Sequence, residues 1–383
     1  MNFDLTEEQR MLQDSVERLM NERCGFEQRK VQLDQPTGYS KELWKQCAEI
    51  GLTALPFEES VGGLGGGGVD TFIAMRAFGR ALAPLPYLSS VVFAGTLLQE
   101  AGHAIQRARW LPGLATGEVV WAVAHSEPQS RFEIADVATT AVREGDGWRL
   151  DGIKRFVLWG DHADHYVVSA RTSGARGDRE GLALFVVPAT NPGLTRRGYP
   201  TQDHFRAADV VLNGVRVGSE ALLGEPGTAL PALEKALDGA IAALCAEAVG
   251  VMEQAHELTV EYLKVRKQFG VAIGSFQALQ HRAVDMLVAI EQARSMTYFA
   301  VMMSDESDAR RRAAAISAAK VQIGRSARLV GQEAIQLHGG IGMTEECQAG
   351  HYMRRLSVIE IVLGDTAFHL RRMAACGGLD DSN

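Results

Sequence analysis

Cysteine is scarce and unpatterned in this sequence. The five cysteines, Cys24, Cys47, Cys245, Cys347 and Cys376, are odd in number and show no C-x-x-C spacing. That excludes a disulfide framework or a cysteine zinc site and fits the reduced thiols of an intracellular, cytoplasmic protein. No histidine is paired with carboxylates or cysteines at ligand spacing, so no metal is implied. Positive charge is in deficit: 39 Lys and Arg against 47 Asp and Glu give a net charge of −8. With no basic run either, a nucleic-acid binder is argued against. Uncharged apolar runs of membrane-spanning length are missing. The start, Met1-Asn2-Phe3-Asp4-Leu5, has neither a basic nor an apolar leader segment, so no signal peptide is expected. No internal repeat is found.

What is present is an ordinary globular balance, 46% hydrophobic and 22% charged, over 383 residues. That length suits two or three structural units. Thr6 and Gln9 fit a capping box, and Leu12, Val16 and Leu19 mark the apolar stripe of a first helix. Helical texture recurs over 41–50, 70–82 and 89–101, broken at Pro84 and Pro86. From Val119 the texture is short strands between Gly and Asp turns: Tyr166–Ala170, Leu182–Val187 and Val210–Val215 among them. After Gly224 long helices return over 228–265, 276–305, 307–335 and 353–375, with the low proline content of a bundle. The predicted class is α+β: an N-terminal helical domain over 1–118, a middle antiparallel β-domain over 119–224, and a C-terminal four-helix bundle over 225–383.

Two glycine-rich stretches attract attention. Gly62-Gly63-Leu64 followed by Gly65 to Gly68 reads as a flexible turn or as a loop for ligand approach, with the turn favoured because no helix-capping phosphate pattern follows. Gln336-Leu337-His338-Gly339-Gly340-Ile341-Gly342-Met343 ends a helix, and its bare glycines let the backbone approach an anion closely. Arg266-Lys267-Gln268-Phe269-Gly270, followed by Phe276-Gln277 and Gln280, stands upstream of it.

These motifs, in this order, resemble the acyl-CoA dehydrogenase family, which carries R-x-x-F-G, a following F-Q and Q-x-x-G-G-x-G. The likeness runs from residue 1 to about 375. It implies FAD as cofactor, an acyl-CoA substrate, an electron-transfer flavoprotein as acceptor, and a homo- or heterotetramer. By that resemblance Arg266, Gln268, Phe269 and Gln277 reach the adenine and pyrophosphate end of FAD. Gln336, Gly339 and Gly340 hold the pyrophosphate of a neighbour's FAD, and Thr366 touches the flavin. The family's T-E-P-G-x-G-S-D is Ser126-Glu127-Pro128-Gln129-Ser130 here, without the glycines, and W-I-T is Phe156-Val157-Leu158. Ser126 can still donate to the flavin and Phe156 can pack on it, whereas Leu158 has lost the hydroxyl.

The family's reaction needs a carboxylate base, ionised yet basic. Its usual E-G-T triplet appears as Gly364-Asp365-Thr366, and the second known location, on the first bundle helix, is Ala240. Both are empty. Glu247, two turns beyond Ala240 in an apolar stretch, is the candidate base, with a buried pair to an arginine such as Arg266 as its structural alternative. Asp365 is the runner-up. The ending Gly364-Asp365-Thr366-Ala367-Phe368-His369 also resembles bacterial heteromeric members acting on steroid side chains or pimeloyl-type acids. In those a bulky or branched acyl group and a shared active site are implied. A non-catalytic partner subunit and a flavin oxidase on the same fold are the alternatives.

Overall fold

The computed structural model describes residues 5–378. Helices α1 (Glu7–Arg23), α2 (Phe26–Leu33), α3 (Lys41–Glu49) and α4 (Gly68–Ala81) are followed by a π-helical segment, Leu88–Ala94, and by α5 (Gly95–Ala101) and α6 (Ala104–Ala115). Then come β1 (Trp121–Ala124), β2 (Thr140–Glu144), β3 (Gly147–Leu158), β4 (His165–Arg171), β5 (Leu182–Pro188), β6 (Leu194–Pro200), β7 (Arg206–Gly218) and β8 (Leu222–Leu223). Helix α7 (Leu230–Val265) leads to the small hairpin β9 (Lys267–Gln268) and β10 (Val271–Ala272), then α8 (Gln277–Met303), α9 (Ala309–His338), α10 (Gln348–Ile361) and α11 (Thr366–Ala375). They sort into two compact units. One holds the residues up to Val31, Gly68–Ala83 and the chain from Ile241; the other holds Gln32–Gly67 and Pro84–Ala240.

The first unit is helical. Thr6 and Gln9 close the expected capping box on α1. Helices α4 and α7 cross at reciprocal glycines: a Cβ on Gly79 would lie 2.1 Å from the Glu247 carbonyl oxygen, and one on Gly250 would lie 2.0 Å from that of Arg76. Each glycine costs a helix about 1 kcal/mol relative to alanine, which the backbone-to-backbone approach offsets. Helix α9, alanine-rich and buried along its length, packs on α8, α10 and α11. The single helix expected over 353–375 is two. Helix α10 stops at Ile361, and Leu363 (φ 59°) and Gly364 (φ 117°) turn the chain before Asp365 caps α11. Ile361-Val362-Leu363 keeps helical apolar spacing, so the break is invisible to periodicity. Gly364 supplies a φ that side chains resist.

The second unit is built on a sheet of strand order β6-β7-β3-β2-β4-β5-β8. Pairing is antiparallel except for β1 beside β4 and a single β2–β4 contact, which are parallel. Trp148, Leu150, Tyr166, Phe185 and Val210 belong to its core. The glycine run does not swing free. Gly65 and Gly66 donate to the carbonyls of Phe57 and Leu55, each at 2.7 Å. A Cβ on Gly63 would sit 2.0 Å from the Phe57 oxygen. These glycines permit two strands of backbone to touch, which accounts for them without a ligand.

Candidate functional site

In the sheet unit, Ser126 and Phe156 are brought together by a bulge. The β3–β7 register shifts between Lys154 and Val157, and Phe156 adopts φ 52° and is 38% exposed. A non-glycine residue held at positive φ costs about 1–2 kcal/mol, and such residues gather at functional sites. The Arg155 N–H donates to the Ser126 carbonyl at 2.8 Å, tying the two segments. Among the described residues the Ser126 hydroxyl has no protein partner, so it is free to donate.

A buried ion pair holds this arrangement. Lys154 Nζ donates to Glu127 Oε1 at 2.7 Å and to Ser169 Oγ at 3.0 Å. Glu127 also accepts from the N–H groups of Ala138 (2.7 Å) and Thr139 (3.0 Å). Burial alone would raise the Glu127 carboxyl, but Lys154 and these donors hold it at about 2. Beside them His125 stays neutral, pushed down to about 4 by burial and then by the Lys154 charge.

In the helical unit the other expected contacts gather at one end of the bundle. Tyr262, near the end of α7, stacks on His338, the last residue of α9, with ring centroids 4.5 Å apart. Arg266 lies one turn past Tyr262 and Gly339 immediately past His338, so Arg266, Gln268, Gly339 and Gly340 share that end. Arg282 of α8 pairs with Glu333 of α9 at 2.5 Å, which brings Gln277 and Gln336 to the same end. All six are exposed, as is Phe269, 92% exposed at φ 56° in the turn of the β9–β10 hairpin. Gly339 adopts φ 66°, ψ −147°, a conformation open to glycine alone, and a Cβ on Gly339 or Gly340 would meet nothing within 4 Å. This is an accessible, side-chain-free cradle, and it fits a pyrophosphate with Arg266 nearby.

Thr366 is elsewhere. It packs against Gly324 on α9, where a Cβ would approach its hydroxyl to 2.4 Å. Gly324 and Gln336 are about 18 Å apart along the helix axis. The Thr366 N–H donates to Glu360 Oε1 at 3.1 Å, and Asp365 accepts from Phe368 N–H at 2.7 Å, so Asp365 is the helix cap.

Glu247 is not the lone desolvated carboxylate the sequence suggests. Arg355 of α10 grips both of its oxygens, Nε to Oε1 at 2.7 Å and a terminal nitrogen to Oε2 at 2.8 Å. The two side chains are only 6% and 8% exposed. The guanidinium fork takes one lone pair on each oxygen and both side chains are almost sealed from solvent, which favours the structural pair over a base that must reach a substrate. The partner is Arg355, not Arg266. No local signal reveals it, because the two lie 108 residues apart.

Two further groups, missed from sequence, surround the 362–365 turn. His369 is fully buried, its Nε2–H donating to the Leu363 carbonyl at 3.1 Å and its Nδ1 accepting from Ser317 Oγ at 3.2 Å. Burial, with Lys320 and Arg372 behind it, lowers this imidazole to about 3. The unfolded chain therefore takes up the proton first as pH falls. His369's stabilising contribution is complete above its ordinary pKa of 6.5 and is lost as pH falls towards 3. Urea midpoints measured from about pH 7 to about pH 4 should fall less steeply for His369→Gln than for the wild type. Lys320, also buried, reaches the same turn from α9. Burial lowers its ammonium to about 8 while Cys245, Glu360 and Asp365 pull the other way, and its three carbonyl acceptors suit the charged, three-donor form.

The chain is similar to known proteins along most of its length. Family models for the acyl-CoA dehydrogenase N-terminal, middle and C-terminal domains match residues 6–118, 122–215 and 230–377. The mouse mitochondrial short-chain specific acyl-CoA dehydrogenase is 30% identical over 91% of this chain and 85% of its own. A variant of the Tcur3481-Tcur3483 steroid ACAD is 30% identical at TM-score 0.87, covering 97% of both chains. The ChsE4-ChsE5 complex from Mycobacterium tuberculosis is 25% identical at TM-score 0.87, covering 98% of both.

Proposed function

This chain belongs to the acyl-CoA dehydrogenase family, and from that premise we propose that it is the FAD-holding subunit of a heteromeric acyl-CoA dehydrogenase for a bulky or branched acyl group. When bound, FAD accepts the β-hydride of the acyl thioester while a base removes the α-proton. The residues of this chain hold and orient. Phe156 offers an apolar ring face and Ser126 a free hydroxyl. Arg266, Gly339 and Gly340 suit a pyrophosphate, and Thr366 stands at the start of a helix beside the emptied base position.

The observation that carries the heteromeric reading is the absence of a usable base. Position 364 is glycine, position 240 is alanine, and the Glu247 carboxylate is closed by Arg355. A related chain is proposed to supply it, in keeping with the two-component names of two structural neighbours. The bulky acyl group is proposed from the steroid name of one structural neighbour, and an electron-transfer flavoprotein is the proposed acceptor. The test is flavin absorbance. Titrated with FAD, the chain alone is expected to bind it and to keep its flavin band when butyryl-CoA or a steroid side-chain thioester is added. Bleaching is expected once the related chain is co-purified. Bleaching by the chain alone would put the base within it, and loss of bleaching in Glu247→Gln with FAD still bound would then identify Glu247 as that base.

A further inference from the structure

The side chain of Lys320 ends in the turn between α10 and α11. Its ammonium donates to the carbonyls of Ile359 at 2.7 Å, Glu360 at 3.0 Å and Gly364 at 3.0 Å. The side chain is 1% exposed, and among the described residues no carboxylate lies within ion-pair distance of the nitrogen. All three donors are spent on backbone.

A lysine buried in this way is costly, so its geometry calls for a reason. Two of its acceptors are terminal carbonyls of α10, which have no partner within their own helix. The third belongs to Gly364, where the chain passes through φ 117°. One cation therefore fixes where α10 stops and where the chain re-enters α11, and Thr366 is the first residue of that helix. The remaining groups facing the turn hold it but do not replace the cation. Glu360 and Asp365 cap α11, and His369 ties Leu363.

We propose that Lys320 is the positioning residue of the α10–α11 turn, setting the backbone path that presents Thr366 to the cofactor. This rests on the reading of Thr366 as an FAD contact. It assigns no chemistry to Lys320 itself, which acts only through the carbonyls it holds.

Lys320→Met keeps most of the bulk and removes the three donors. Hydrogen exchange of this variant should show at least tenfold faster exchange at the Thr366 and Phe368 amides, with α7 and α8 unchanged. FAD affinity, read by fluorescence titration of the full-length chain, should fall about tenfold. The decisive readout is a double-mutant cycle. If Lys320 works through Thr366, then Thr366→Ala weakens FAD binding in the wild type and adds almost nothing in Lys320→Met. Additive losses, or protection lost evenly across the bundle, would make Lys320 a structural residue only. Wild-type exchange rates at the turn in Lys320→Met, with FAD binding intact, would overturn the proposal by themselves. A wild-type chain that binds no FAD would sink the cofactor reading instead, and with it the role given to Thr366. Should Lys320→Met not fold, Lys320→Gln, which is uncharged and cannot supply three donors, runs the same cycle.

Discussion

Replacing Arg355 by methionine is expected to destabilise the protein by about 3–5 kcal/mol, because it strands the Glu247 carboxylate in a buried site. In the folded chain both Glu247 oxygens are bound by Arg355, and the pair is almost sealed from solvent. Glu247→Gln should cost a comparable amount by leaving a buried guanidinium without its anion. The double variant Glu247→Leu with Arg355→Met should recover most of the loss, since a buried pair exchanged for well-packed apolar groups is often neutral. Urea denaturation of the three variants measures the cycle. Arg355→Met within about 1 kcal/mol of wild type would mean that Glu247 is not held as described and would reopen its case as a base.

Placing a glutamate at position 364 is the second large effect expected. The family resemblance makes Gly364→Glu look like a repair, but the turn cannot take it. At φ 117° a Cβ there would sit 2.4 Å from His369 Nε2 and 2.7 Å from Phe368 Cδ1. Backbone strain of about 1–3 kcal/mol and overpacking of similar size should add to a loss of about 3 kcal/mol or more, with no gain in acyl-CoA bleaching. Gly364→Ala should carry most of the same penalty, which separates the backbone from the carboxylate. Relief of that penalty by His369→Ala would locate the clash. A fully stable Gly364→Glu chain that bleaches unaided would show that the turn relaxes and that the position still serves as a base.

The sequence carried the motifs further than the contacts. Helix and strand texture was legible wherever apolar spacing was regular, and Thr6 announced the first helix through its cap. The α10–α11 break was hidden because Ile361, Val362 and Leu363 continue a helical stripe while the chain turns. Gly79 and Gly250 are ordinary helical glycines until two backbones are seen to touch. Ser126 and Phe156 could be picked out by resemblance, yet the bulge that exposes Phe156 depends on pairing with β7. Of the two buried ionisable residues Glu247 and Lys320, only Glu247 was visible as an anomaly in its apolar stretch. Their partners were not, because Arg355 and the Gly364 carbonyl lie 108 and 44 residues away.

The geometry around Gly364 also bears on descent. A lineage that gives up a side chain at this position and lets His369 settle into the vacated space makes the return path steep. A single codon change back to an acidic residue meets the imidazole before it can serve any reaction, so selection must first tolerate an intermediate altered at position 369. On the heteromeric proposal, a chain without that carboxylate depends on the product of the gene that supplies it. The two should be inherited together, and disabling either gene should abolish the same activity.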